Sequence, residues 1–328
     1  MFIDVVRPEA WEELNDQVKT ALGLDPKSRA RCFSGIAAAV FEISQSTAQF
    51  MSHKKAIGVI LGQTSAFEGL LPYYYKETYE VAALSHLQLH DVKGWVDALK
   101  KDTNFVLFAE DHPVTGEVYP FAEELDKLLN EKRIFSFRVS HAHHHHQSFS
   151  VRPYTVRLCS YSPTAAVAVT GERFRSPAMV AQNMSWDNTD FLKQISDSRG
   201  LHQNNPLLVE KFEKEMSPTA SLYFAAGTSR LYDRAVISFH DVSAEAVAEN
   251  LFKKIGLTSH EGWQQLASTN MCHWSAIKMF RHWWEPTPTQ DQLRGLLIVG
   301  LNLLNTKDFA KLMISSYEEV KAQQSWDV

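Results

Sequence analysis

Apolar and polar positions along this chain fall into blocks that switch repeatedly between helical and extended spacing, which predicts an α/β order of elements. Residues 8–22 (PEAWEELNDQVKTAL) read as an amphipathic helix, with Pro8 suited to its first turn. Residues 34–51 predict a second, more buried helix, and residues 56–61 a short apolar strand. That strand runs into GQTSA at 62–66, where a third helix begins. Residues 80–84 predict a strand and 91–99 a helix.

The densest pattern lies between residues 103 and 175. NFVLFA at 104–109 is a continuous apolar run of the kind buried on both faces of a parallel sheet. It opens into a loop with Pro and Gly punctuation, followed by helical spacing over 120–132 (PFAEELDKLLNEK). A strand at 134–139 empties into SHAHHHH at 140–146, and a strand at 154–159 into SYSPT at 160–164. Three strands thus deliver polar loops at their C-terminal ends, the edge where open α/β sheets place ligands.

Beyond residue 176 the pattern predicts helices at 188–195 and 207–216, then a shift at Ser217-Pro218-Thr219. A strand at 234–239, a helix at 243–255 with Ser243 as cap, a Gly256 turn, a strand after Arg294 and a helix at 306–321 follow. Three regions are expected: a helical segment 1–33, a large α/β domain 34–217 and a smaller α+β domain 218–328.

Composition narrows the function. With 328 residues, 45% of them apolar, the chain can bury a sizeable core. A net charge of −5 gives no basic footprint for nucleic acid. No apolar run is long enough to span a membrane and the first residues do not read as a signal peptide, so a soluble cytoplasmic protein is expected. Cys32, Cys159 and Cys272 lie far apart and read as buried thiols rather than a disulfide framework.

Four short matches in consistent order carry a resemblance. HPVTGEVY at 112–119 resembles the NPTG-type loop of class I/II aminotransferases, the fold-type I enzymes that use pyridoxal phosphate (PLP). VSHAH at 139–143 resembles their DEAY-type strand end, SYSPT at 160–164 their SxSKT turn, and Gly171-Glu172-Arg173 their GxR element. The resemblance implies a PLP-transferase fold: a three-layer sandwich around a mostly parallel sheet, with a smaller C-terminal α+β domain. It implies a homodimer and a small amino-acid-like or phosphate-bearing ligand.

It also distributes roles. Gln63, Thr64 and Ser65 match the turn that holds the cofactor phosphate, where small residues free backbone N–H groups at a positive helix end. Tyr73 stands among the aromatic residues that either cover the cofactor ring or pack in the core. His112 or Asp111 matches the NPTG asparagine, depending on where the extra residue is placed, Ser140 the pyridine-nitrogen aspartate and His143 the ring-hydroxyl tyrosine. Ser160, Ser162 and Arg173 form a residual anion site, and Arg294 matches the arginine that binds the substrate carboxylate, although an exposed strand-end arginine reads equally well.

The departures are chemical. The Schiff-base lysine is replaced by Pro163, and no lysine occurs between Lys132 and Lys193. Without that amine a transaminase loses both its covalent anchor and its proton shuttle, and without the aspartate the ring is a poorer electron sink. The expectation is a degenerate aminotransferase-like protein that retains an anion site. Two alternatives stay open: a PLP enzyme working through another lysine, and a metal-binding protein built on the histidine run. In the latter, His141, His143 and His145 of an extended segment share one face and suit a divalent metal, while a polar loop with adventitious metal affinity explains the run as well.

Overall fold

The computed structural model describes residues 8–25, 28–112, 116–140, 151–162, 165–174, 205–222, 230, 232, 234–266 and 289–324. The chain forms two compact units, one from residues 1–112 and 119–199, the other from 113–118 and 200–328.

In the first unit the order is α1 (Pro8–Leu22), β1 (Arg29–Phe33), α2 (Ile36–Phe50), β2 (Ala56–Leu61), α3 (Ser65–Lys76) and β3 (Glu80–Ser85). It continues through α4 (Val92–Ala98), β4 (Thr103–Ala109), α5 (Phe121–Glu131), β5 (Phe135–Ser140), β6 (Thr155–Ser162) and β7 (Ala165–Thr170). The strands form one sheet in the order β1-β7-β6-β5-β4-β2-β3. The neighbours from β6 through β3 are parallel, whereas β7 runs against both β6 and β1.

Burial explains the strand sequences. Every residue of β4 and of β7 is buried, which fits strands covered on both faces. Helices α2 and α3 pack against each other, and α5 packs on β4 and β5 with α4 beside it. Phe105 sits in the core between Tyr74 of α3 and Phe137 of β5, at ring separations of 5.9 and 4.8 Å. The fold class expected from the sequence is the one observed.

Two strands of this unit have no counterpart among those expected from the sequence. β1 (RARCF) carries two arginines and lies, after α1, in the segment expected to be helical. Arg31 is buried there because its guanidinium lies 4.5 Å over the Phe33 ring and 3.3 Å from Glu42. β7 (AAVAVT) is alanine-rich and leads straight out of the expected turn.

The second unit contains α6 (Pro206–Met216), β8 (Ala220–Leu222), β9 (Arg234–Phe239), α7 (Ala244–Ile255) and α8 (Ser259–Leu266). It ends with α9 (Gln290–Arg294), β10 (Leu296–Gly300), α10 (Leu301–Leu304) and α11 (Phe309–Gln324). Its strands form an antiparallel sheet in the order β10-β9-β8. Asn205 caps α6 by accepting the Leu208 N–H at 3.1 Å, and Gly256 ends α7 with φ +75°. Residue 117 joins this unit through a bridge to Arg230, whose guanidinium forks onto Glu213 at 2.8 and 2.7 Å. The helix expected at 188–195 lies outside the described residues.

Candidate functional site

The C-terminal edge of the parallel strands gathers most of the expected residues. After β2 the chain turns at Gly62, with φ +80°, a conformation that glycine adopts without strain. Thr64 then takes the N-cap position of α3 in extended conformation, and its hydroxyl accepts the Ala66 N–H at 3.5 Å. Ser65 opens the helix. Thr64 also accepts the Phe67 N–H through its carbonyl at 3.0 Å, and the turn stands at the positive end of the α3 dipole.

Gln63 is used differently from the sequence expectation. Its side chain is buried, with Oε1 accepting the Ala109 N–H at 2.7 Å and Nε2 donating to the Ala109 carbonyl at 3.3 Å. The β2–β4 ladder registers through Val59 and Leu107, and the Gln63 amide supplies the rung that Ala109 then needs. Its side chain therefore extends the sheet, and only its backbone faces the turn's ligand role.

Glu68 completes the turn from inside the helix. Its Oε1 accepts the Gly62 N–H at 3.0 Å, while its Oε2 is buried without a hydrogen-bond partner among the described residues. Burial raises the Glu68 pKa, with the Gly62 N–H and its own N–H acting the other way. The folded chain therefore holds this proton more tightly than the unfolded chain. Below the unfolded pKa of about 4.3 both states are protonated, and the destabilisation grows as pH rises through the folded value. Glu68→Gln, which keeps the acceptor for Gly62, is expected to raise Tm near pH 7 and leave it unchanged near pH 3.5. Thermal melts at both pH values check this, and an equal shift at both contradicts it.

At the end of β4, Glu110, Asp111 and His112 are all buried. Glu110 donates its N–H to the Val139 carbonyl and accepts the Tyr119 N–H, both at 2.8 Å. Its carboxylate receives a fork from Arg157 of β6, with Nε–Oε1 and Nη2–Oε2 both at 2.7 Å. Arg138 of β5 lies between them, its Nε 2.5 Å from Glu110 Oε1 and its Nη1 2.7 Å from Glu123. Deeper on the same face, Asp126 of α5 accepts Ser136 Oγ and Thr155 Oγ1 at 2.5 Å each and Arg152 Nη1 at 2.9 Å. No part of this network was visible as a site in the sequence.

Ser140, which ends β5, and Ser160, near the end of β6, are both buried, and Ser162 ends β6 and pairs with Ala165 through its backbone. Burial pushes the Cys159 thiol up to about 12, with Arg157 opposing, so it is an inert core thiol.

Two other expected residues of this unit, Tyr73 and Arg173, lie away from the turn and from Ser160 respectively. Tyr73 lies roughly 13 Å along α3 from Thr64 and packs edge-on to the buried Tyr74. Arg173 is separated from Ser160 and Ser162, because β7 reverses direction and carries the chain to the opposite edge. There its N–H donates to Pro153 at 2.9 Å and its exposed side chain lies 3.9 Å from Glu172. Gly171 is explained by close packing: a Cβ would meet the Arg152 carbonyl oxygen at 2.0 Å. Arg294 ends α9 of the second unit with its side chain exposed. Pro163, His141, His143 and His145 lie outside the described residues. Among the described residues, no group of three or more His, Cys, Asp or Glu side chains is placed to hold a metal ion, and no helix is long and apolar enough to cross a membrane.

One edge residue was missed. β3 ends beside β2, pairing Ser85 with Leu61, and His86 follows directly. Its Nδ1 lies 3.2 Å from the Leu61 carbonyl, and since a carbonyl only accepts, Nδ1 carries the proton and Nε2 is the acceptor. Its ring stands 5.3 Å from Tyr119, which in turn stacks on Phe121. Burial lowers the His86 pKa, with the Leu61 hydrogen bond opposing, so the ring favours the neutral form. The available signal was SHLQ at 85–88, whose Ser and Gln form a capping box that turns the chain at the strand end.

No protein-family model matches the chain, and no curated protein matches it by sequence. Solved structures do match by fold. A NifS-like protein aligns over 95% of this chain and 87% of its own at TM-score 0.68 and 12% identity. The NifS-like protein of Rickettsia africae ESF-5 aligns over 99% and 91% at TM-score 0.63 and 12% identity. PseC of Helicobacter pylori, an aminotransferase of pseudoaminic acid biosynthesis, aligns over 94% and 91% at TM-score 0.53 and 11% identity. Together with the sheet order and the strand-edge turn, these matches give the chain the fold of the PLP-dependent fold-type I enzymes.

Proposed function

We propose that this chain is an aminotransferase-like protein that no longer transaminates and that holds a small phosphate-bearing ligand of the pyridoxal phosphate type without a covalent bond. The observation that carries the reading is Pro163 at the position of the Schiff-base amine, with no lysine between residues 132 and 193. The residues present fit one end of the cofactor. Gly62, the capped Thr64 and the start of α3 suit a phosphate, and the neutral His86 ring stands at the end of the neighbouring strand. They do not fit the other end, where the amine is a proline and the aspartate a serine.

When bound, PLP supplies an electron-withdrawing ring, and here the chain's own groups bind and orient it without an amine to move protons. The fold alone carries no activity. We carry over from the resemblance a homodimer and an amino-acid-like or phosphate-bearing ligand. Equilibrium dialysis tests the reading. PLP is expected to bind reversibly, inorganic phosphate to compete, and pyridoxal lacking the phosphate to bind about tenfold more weakly or worse, as loss of a charge-assisted contact predicts. Pyridoxal binding as tightly as PLP contradicts it.

A further inference from the structure

Glu110 directly follows β4, and Arg138 and Arg157 stand on the adjacent strands β5 and β6, on the face of the sheet that carries α5. Burying such charges removes them from water at considerable cost, and apolar residues of similar volume hold strands together as well or better. The same face is apolar on either side, with Val106 and Phe108 on β4 and Val167 and Val169 on β7. Stability alone therefore gives no reason for charges here. What a planar guanidinium adds is direction: two parallel N–H bonds fix distance and angle together, which an apolar contact does not.

The direction fixed is that of the strand end. Glu110 is the last residue before Asp111 and His112, and its backbone is already held on both sides, by Val139 and Tyr119 at 2.8 Å each. Its carboxylate is then clamped from two strands away at 2.7 Å through both oxygens. Burial would lower the Arg157 guanidinium, but Glu110 holds it raised, with Asp111 acting in the same direction. We propose that the Glu110–Arg157 fork is a positioning device that holds Asp111 and His112 at the strand edge in the geometry a ligand meets. The inference rests on the strand-edge ligand reading above, yet the position of His112 can be read without any ligand.

The test uses the full chain labelled with nitrogen-15 histidine, with His112→Gln to assign the His112 ring signal. Arg157→Lys keeps the charge and loses the fork, and the Glu110→Leu/Arg157→Met pair replaces the whole contact with apolar groups. In both, with wild-type circular dichroism, the His112 signal is expected to shift, split or broaden in the absence of ligand. PLP affinity is expected to fall about 10- to 100-fold, as for other groups that orient a site from behind. An unmoved His112 signal in either folded variant overturns the inference, and so does unchanged PLP affinity where the signal has moved. If the wild-type chain binds no PLP but the His112 signal responds to both variants, the ligand reading falls and the positioning role stands.

Discussion

Arg157→Met, with Glu110 left in place, is expected to destabilise the chain by about 3 kcal/mol. The substitution leaves a buried carboxylate facing a thioether, and such uncompensated charge is the expensive half of breaking a buried pair. The loss falls at the low end of the usual range because Arg138 remains 2.5 Å from Glu110. Removing both partners is a different experiment. The Glu110→Leu/Arg157→Met pair leaves Arg138 to Glu123 at 2.7 Å and is expected to come within about 1 kcal/mol of wild type. Urea unfolding of the two variants reads the difference. Equal losses in the single and the double contradict the assignment of this contact as an ion pair whose burden is desolvation.

Asp126→Asn is expected to be the second large effect, also about 3 kcal/mol. Ser136, Thr155 and Arg152 all aim donors at the Asp126 carboxylate, at 2.5, 2.5 and 2.9 Å, and Asn130 adds a fourth at 3.3 Å. An amide of the same shape accepts through one oxygen and turns an NH₂ group toward donors. The buried Ser136 and Thr155 donors then lose an acceptor. A midpoint shift at unchanged urea slope is the expected result. A variant within about 0.5 kcal/mol of wild type contradicts the network's weight in the core.

The legible part of this protein was its scaffold. Continuous apolar runs such as 56–61 and 104–109 stand out because both faces of those strands are buried, and helical spacing over 120–132 needs no tertiary information. β1 was illegible because Arg31 is buried through a ring contact and one carboxylate, neither of which periodicity encodes. The charged ladder was hidden for a similar reason. Arg138 and Arg157 look like solvent-facing positions of their strands, and the partner that buries Arg157 lies 47 residues earlier. Gln63 adds a contact that spacing does not encode, its side chain bonding the Ala109 backbone 46 residues away. Arg173 failed on direction, since spacing along the chain carries no sign that β7 turns back. His86 was missed because a short capped turn after an edge strand resembles any other.

Borohydride trapping asks whether any lysine of the folded chain forms a Schiff base with PLP. The full chain is saturated with PLP, reduced with borohydride, denatured, and its intact mass and lysine map are measured. No stoichiometric pyridoxyl group is expected on any lysine, with all bound PLP released on denaturation. A one-to-one adduct on a single lysine would contradict the reading.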